Sequence, residues 1–159
     1  MSVSGRWWIV RRYLVVANQT LGGEELWGAI RERIAGGDCH FHLLVPATPA
    51  AQLDPGSTTE VAAEGGTGEE LGRRLARQRM RHELDRMREL GASVSGEIGV
   101  ADPVDAVRVV LHRWEFDEVI VSTLPGRRSR WLAADLPTKI RRGFKLQVTQ
   151  VTGATVAKG

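Results

Sequence analysis

The stretch Glu118-Val-Ile-Val-Ser-Thr-Leu-Pro-Gly-Arg-Arg-Ser-Arg-Trp-Leu-Ala-Ala-Asp-Leu-Pro-Thr-Lys-Ile140 decides the fold. A short apolar run, Val119-Ile-Val121, ends in a small-residue, arginine-rich loop that leads into a helix start. In a parallel α/β sheet such a junction binds phosphates, because a helix N-terminus presents free N–H groups to an anion. Here the loop carries one glycine, Gly126, and the residue expected to cap the helix is an acid, Asp135. The place for a nucleotide is present, but much of the usual equipment is missing.

Working outward, apolar runs and helical periods alternate. Tyr13-Leu-Val-Val-Ala17 reads as a buried strand closed by Asn18-Gln-Thr-Leu-Gly-Gly23. Leu26, Trp27, Ile30 and Ile34 recur at helical spacing up to Gly36-Gly37. Phe41 to Val45 is a second strand, halted by Pro46. Glu69 to Leu90 is a long amphipathic helix with Leu71, Leu75, Met80, Leu84 and Met87 as its stripe and Gly91 as its stop.

Val94 to Val100 alternates like a half-exposed strand. Asp102-Pro103 reads as a cap and first-turn proline, opening a helix with Val104, Val107, Val110, Leu111 and Trp114. After strand 4 and the arginine loop come a short helix at 137–142 and a fifth strand, Leu146 to Val151. The chain is expected to be one domain over 1–159. It would carry a flexible insertion at 47–68, read as disorder or a lid, and a loose tail at 152–159.

This β-α alternation demands parallel strands with right-handed crossovers. The predicted architecture is a three-layer α/β/α sandwich around a five-stranded parallel sheet. Strands 1 and 4 are continuous apolar runs, as central strands should be, and 3 and 5 alternate as edges do. Strand 2 is ambiguous, with His40 and His42 at its start, and the textures together favour the order 3-2-1-4-5, with the switch point between strands 1 and 4. Ligands in such sheets sit outside the carboxyl ends of those strands, where the chain places Asn18, Ser122 and Thr123.

Composition bounds the function. Hydrophobic residues at 42% and charged residues at 26% are ordinary for a globular domain. Lys+Arg 22 against Asp+Glu 19 leaves a net charge of +3, too little to argue nucleic-acid binding from the total. The basic residues concentrate at 127, 128, 130, 139, 141, 142 and 145, with Asp135 the one acid between Gly126 and Lys145. One cysteine, Cys39, excludes an internal disulfide, and a reducing, cytoplasmic setting is the expectation. No stretch approaches the roughly 18 apolar residues of a membrane span.

Several chemistries lack their residues. There is no GxxxxGK[ST] loop, no GxGxxG after strand 1 and no GxSxG elbow. A receiver-type site needs acids at the ends of strands 1 and 3, which offer Asn18 and Val100 instead. His40 and His42 share one side of strand 2 but lack a third metal ligand of matching spacing. The long helix mixes Arg73, Arg74, Arg77, Arg79, Arg81, Arg86 and Arg88 with Glu69, Glu70, Glu83, Asp85 and Glu89. That mixture reads as a solvated face rather than a nucleic-acid stripe. No catalytic set, no metal site and no enzyme is expected.

The element order, with Ile98-Gly-Val-Ala-Asp-Pro-Val-Asp-Ala106 and Phe116-Asp-Glu-Val-Ile-Val-Ser122, resembles the universal stress protein family, over residues 12–151. The resemblance implies an adenine nucleotide alpha hydrolase-like fold of sheet order 3-2-1-4-5. It also implies a stress-response or regulatory role and pairing of copies through strand 5.

Some members of that family bind ATP through glycine, two residues, glycine, nine residues, then glycine and Ser or Thr after strand 4. Begun at Val121, Ser122 or Thr123, that motif finds at most Gly126 at its second glycine and Ala134, Asp135 or Leu136 at its third. In the first register Asp135 stands where a hydroxyl should meet phosphate, and two anions at one helix start repel. The family's strand 1 acid is here Asn18.

The expectation is a non-catalytic, homodimeric, universal-stress-like protein that does not bind ATP in the family manner and needs no cofactor. Two alternatives stay open. One is a nucleotide (ATP or AMP) site built from Asn18, Val100, Ser122, Thr123, Gly126, Arg127, Arg128, Arg130 and Asp135, its arginines replacing the glycines. The other is polyanion or nucleic-acid binding through the 126–145 patch.

Overall fold

A computed structural model describes residues 10–18, 20–47, 68–123 and 136–153. Along the chain these form β1 (Arg11–Val16), α1 (Glu24–Ala35), β2 (Cys39–Pro46), α2 (Gly68–Glu89), β3 (Ser93–Gly99), α3 (Pro103–Arg113), β4 (Glu118–Thr123), α4 (Leu136–Phe144) and β5 (Gln147–Thr152). All strand pairs are parallel, and the sheet order is β3-β2-β1-β4-β5, the one the strand textures favour.

Handedness then dictates the layers. The steps from β1 to β2 to β3 run one way across the sheet, and those from β3 to β4 to β5 run the other. Right-handed crossovers therefore put α1 and α2 on one face and α3 and α4 on the other. Side chains alternate across each strand, so β1 divides between the two cores. Tyr13 and Val15 pack with Leu26, Trp27 and Ile30 of α1 and Ala76, Leu84 and Met87 of α2. Leu14 and Val16 pack with Ala106, Val107 and Val110 of α3 and Leu136 and Ile140 of α4. Each large apolar side chain taken fully from water stabilises the fold by roughly 1.5–3 kcal/mol.

Local signals explain the element ends. Asp102 caps α3 by accepting hydrogen bonds from the backbone N–H of Val104 (2.9 Å) and Asp105 (3.2 Å), with Pro103 in the first turn. Gly91 follows α2 with φ +90°, a backbone that an L side chain rarely adopts, and its N–H closes the helix on the Arg88 carbonyl.

Several element ends and one face differ from the sequence expectations, β4 among them, which starts at Glu118 and ends at Thr123. Ala47 donates its N–H to the Gly99 carbonyl, and Gly68 already belongs to α2, so the stretch outside the described residues is 48–67. Thr152 is the last residue of β5 rather than the first of a tail, because the sheet extends one pair further, Thr123 opposite Thr152. The mixed-charge face of α2 is only partly solvated. Glu83 is 5% exposed and accepts a hydrogen bond from the Trp27 indole at 2.8 Å, while the Arg86 guanidinium lies 4.2 Å from the Trp27 ring centroid. A buried indole N–H needs an acceptor, and Glu83 is the one that α2 presents to it.

The amino ends of the central strands hold a buried ion pair. Glu118 of β4 accepts two hydrogen bonds from Arg33 of α1, at 3.1 and 2.6 Å, and another from the hydroxyl of Thr149 in β5. Burial opposes the charge on Glu118, but the bonds from Arg33 and Thr149 outweigh it and hold the carboxyl below its usual range. Among the described residues no helix is long and apolar enough to cross a membrane.

Candidate functional site

The switch point lies where the described sequence is least apolar and still buried. β1 runs out through Ala17, whose N–H continues the ladder to the Leu44 carbonyl, into Asn18. The chain then turns, with the Leu21 N–H on the Asn18 carbonyl and the Gly23 N–H on the Thr20 carbonyl, and enters α1. β4 ends alongside in Ser122 and Thr123. Asn18, Thr20, Ser122 and Thr123 are all buried, so their polar atoms need partners or leave a cost of about 1–3 kcal/mol each.

Three of the four are bonded across the crevice. Asn18 is 6% exposed; its amide nitrogen donates to the Pro46 carbonyl at 2.7 Å, and its carbonyl accepts from Arg79 of α2 at 2.6 Å. The Thr20 and Ser122 hydroxyl oxygens lie 2.6 Å apart, and Thr20 also lies 3.3 Å from the Ser122 carbonyl. With the Thr20 proton on that carbonyl, the Ser122 hydroxyl donates to Thr20, and both protons are used.

Thr123 differs. Its hydroxyl is 1% exposed as a residue and meets no hydrogen-bond partner among the described residues. Its carbonyl accepts the Gly153 N–H at 3.0 Å. Gly153 leaves room there for Glu25 of α1, since a Cβ would come within 2.6 Å of the Glu25 carboxylate.

Of the residues expected at a site, Asn18, Ser122 and Thr123 come together. Val100 does not: it is 46% exposed beyond the end of β3, with β2 between it and the switch point. Gly126, Arg127, Arg128, Arg130 and Asp135 lie outside the described residues. α4 begins at Leu136, directly after Asp135 in the chain, and its side chains 136, 137 and 140 are buried. Within the basic patch, Arg141 donates to the Val148 carbonyl at 3.3 Å.

Sequence reasoning missed Thr20 and Arg79. Thr20 sat in a stretch read only as a turn. Arg79 was one of several arginines on a mixed helix, with no spacing to single it out.

Asn18, Thr20, Ser122 and Thr123 do not ionise near neutral pH. What they offer is hydrogen bonding at the mouth of two parallel strands, with the Arg79 guanidinium behind Asn18. Among the described residues no group of three or more His, Cys, Asp or Glu is arranged to hold a metal ion.

No protein-family model matches the chain, and no curated protein matches its sequence. Solved structures do match in shape. A universal stress protein crystallised in complex with cAMP superposes with a TM-score of 0.55 at 18% identity, over 91% of this chain and 98% of that one. A universal stress protein family protein from Arabidopsis thaliana with AMP bound gives a TM-score of 0.55 at 14% identity, over 90% of this chain and 92% of that one. Both superpositions span nearly the whole of each chain, and the fold of this protein is that of the universal stress proteins.

Proposed function

We propose that this protein is a non-catalytic, universal-stress-like regulatory module that holds a ligand of the nucleoside monophosphate class at the carboxyl ends of β1 and β4. The observation that carries the reading is the Thr123 hydroxyl, buried at the switch point without a partner among the described residues. A buried hydroxyl left unbonded is costly, and a polar ligand seated over β4 would supply the missing partner. Both solved structures named above hold a nucleotide with one phosphate, which supports the ligand class.

A triphosphate is disfavoured on chemistry. Asp135 immediately precedes α4, and a carboxylate at a helix start competes with phosphate for the same N–H groups. A single phosphate brings less charge against that acid, and Arg127, Arg128 and Arg130 are at hand in the sequence to offset it. ATP binding through a glycine-rich loop is therefore no part of the reading. The same reading includes a homodimer through β5, whose outer edge has no strand beside it among the described residues.

Calorimetry with AMP, cAMP and ATP tests it. Saturable heat is expected for AMP or cAMP, with ATP at least tenfold weaker, and Thr123→Val should weaken the monophosphate about tenfold. Tighter binding of ATP, or no heat with either monophosphate, would overturn the assignment. Phosphate release on long incubation with a nucleotide would refute the non-catalytic part, and a monomeric sedimentation profile at all concentrations would remove the dimer.

A further inference from the structure

On the face of the sheet beside α3, β2 and β3 share a file of polar side chains far from the switch point. His40 and His42 stand two apart on β2, and Ser93, Ser95 and Glu97 stand two apart on β3, in register His40 with Ser93 and His42 with Ser95. Each imidazole bridges two successive rungs. His40 Nδ1 lies 2.8 Å from Ser93 Oγ and its Nε2 lies 2.8 Å from Ser95 Oγ. His42 Nδ1 lies 2.7 Å from the same Ser95 Oγ, and its Nε2 lies 2.7 Å from the Glu97 carboxylate. Arg113 of α3 closes the file with 2.6 Å bonds to both Glu97 oxygens.

Counting protons fixes the direction of every bond. Glu97 is held ionised: burial opposes its charge, but the bonds from Arg113 and His42 outweigh burial and keep its pKa below the usual value. The carboxylate only accepts, so His42 Nε2 carries a proton, and in the neutral ring Nδ1 accepts from the Ser95 O–H. Ser95 has one proton, so it must accept from His40 Nε2–H, and His40 Nδ1 then accepts from Ser93. With both rings neutral there is one solution, and it satisfies all four bonds.

We propose that the His40–Ser95–His42–Glu97 file is an acid-responsive latch between β2 and the edge strand β3, which absorbs one proton by reversing its bonds and opens on the second. The outer end is the port, since Ser93 is exposed and His40 half-buried while His42 is buried. A solvent proton taken at Ser93 sends the serine's own proton to His40 Nδ1. His40 Nε2–H passes to Ser95, and the Ser95 proton passes to His42 Nδ1. One bond to hydrogen forms for each that breaks. The added charge ends on His42 beside Glu97, and all four contacts remain, three of them reversed.

The second proton has no such solution. Both rings must then donate to Ser95 Oγ, whose own proton loses its partner, and two cations share one hydroxyl. The charged groups around the file do not help. Arg12 of β1 faces His40, and burial, then Arg12 and His42, hold the His40 pKa below the ordinary imidazole value. Asp117, before β4, lies by the backbone of Arg12, accepting its N–H at 2.8 Å, and Arg113 is bound to Glu97. β3 is the outermost strand on this side, so loss of the file loosens an edge while the central strands stay packed.

Long-range nitrogen–proton spectra of the full chain, read from pH 8 to pH 4.5, test this directly. Both rings should show the Nε2–H tautomer at pH 8. As the file takes up its first proton, His40 should switch to Nδ1–H while staying neutral, and β3 amide protection should drop at least tenfold only when His40 charges in turn. Ser95→Ala should abolish the tautomer switch of His40, because Ser95 Oγ is the atom both rings share. If His40 charges with the first proton, or keeps its tautomer, or β3 protection is flat across the range, the latch does not exist. The wild-type spectra decide even if the variant unfolds.

Discussion

Glu118 and Thr123 stand at opposite ends of one buried strand, and they differ in what surrounds them. Glu118 is a charge, yet it is bonded by Arg33 and Thr149 from the neighbouring helix and strand. Thr123 is neutral and costs less to bury, yet its hydroxyl faces no partner among the described residues. Expense therefore does not explain where unmet polar atoms fall: besides the Thr123 hydroxyl, the Arg12 Nε of β1 is buried without a hydrogen-bond partner among the described residues. On β4 the fold completes the costly group at the amino end and leaves the cheaper one incomplete at the carboxyl end, where parallel sheets meet ligands.

The largest effect expected is at the complete end. Glu118→Ala leaves the Arg33 guanidinium, 15% exposed, facing Thr149 and the Tyr13 ring without its carboxylate. Removing one partner of a buried pair costs about 3 kcal/mol, whereas replacing both Glu118 and Arg33 with leucine should recover most of the loss. Urea unfolding of the two single variants and the double variant gives the coupling. A single-variant loss below about 1 kcal/mol would mean the pair is solvated in solution, and the contrast between the two ends would fail.

The same pair sets an acid limit. The folded-state pKa of Glu118 is depressed, so its contribution is present above the unfolded carboxylate value, near 4.5, and is lost as pH falls through the lower folded value. Urea midpoints should hold above pH 5 and fall toward pH 3, and Glu118→Gln should flatten that fall. An unchanged slope in the variant would assign acid sensitivity to other carboxyls.

At the incomplete end, Asn18→Ala should cost about 1–2 kcal/mol, because the Pro46 carbonyl and Arg79 each lose a bond in a buried place. Thermal melting with urea controls checks this. An effect near zero would mean that water replaces the amide and that the end of β1 is wetter than its 6% exposure implies.

Much of the fold was legible in local pattern. The unbroken apolar runs at 13–17 and 119–121 mark central strands, and the alternation at 94–100 and 146–151 marks edges, which is enough to order the sheet. Asp102-Pro103 announces α3 because capping is a local event. Glu118 stands outside the apolar run Val119-Ile-Val121, and a charge normally ends a buried run. What hides it is Arg33, 85 residues away in sequence, and no periodicity encodes such a meeting. Thr20 with Ser122 and Arg79 with Asn18 are the same case, at 102 and 61 residues of separation. The site could therefore be placed from topology, while most of its bonds could not be named. His40 and His42 were visible as a pair, but the serines that bridge them became partners only once the register of β2 and β3 was set.

The smallest stability effect is the most telling. Thr123→Val keeps the shape of the side chain and removes a hydroxyl that has no partner among the described residues, so the apo protein should melt within about 0.5 kcal/mol of wild type or somewhat higher. Ser122→Ala, one residue earlier, removes a hydroxyl that does have a partner and should cost about 1 kcal/mol. Adjacent substitutions of like chemistry would then move stability in different directions, because one atom serves the fold and the other does not. If Thr123→Val destabilised the ligand-free protein as much as Ser122→Ala, its hydroxyl would already be bonded there. Thr123 would then join Glu118 among the completed groups, and the case for a ligand over β4 would lose its physical ground.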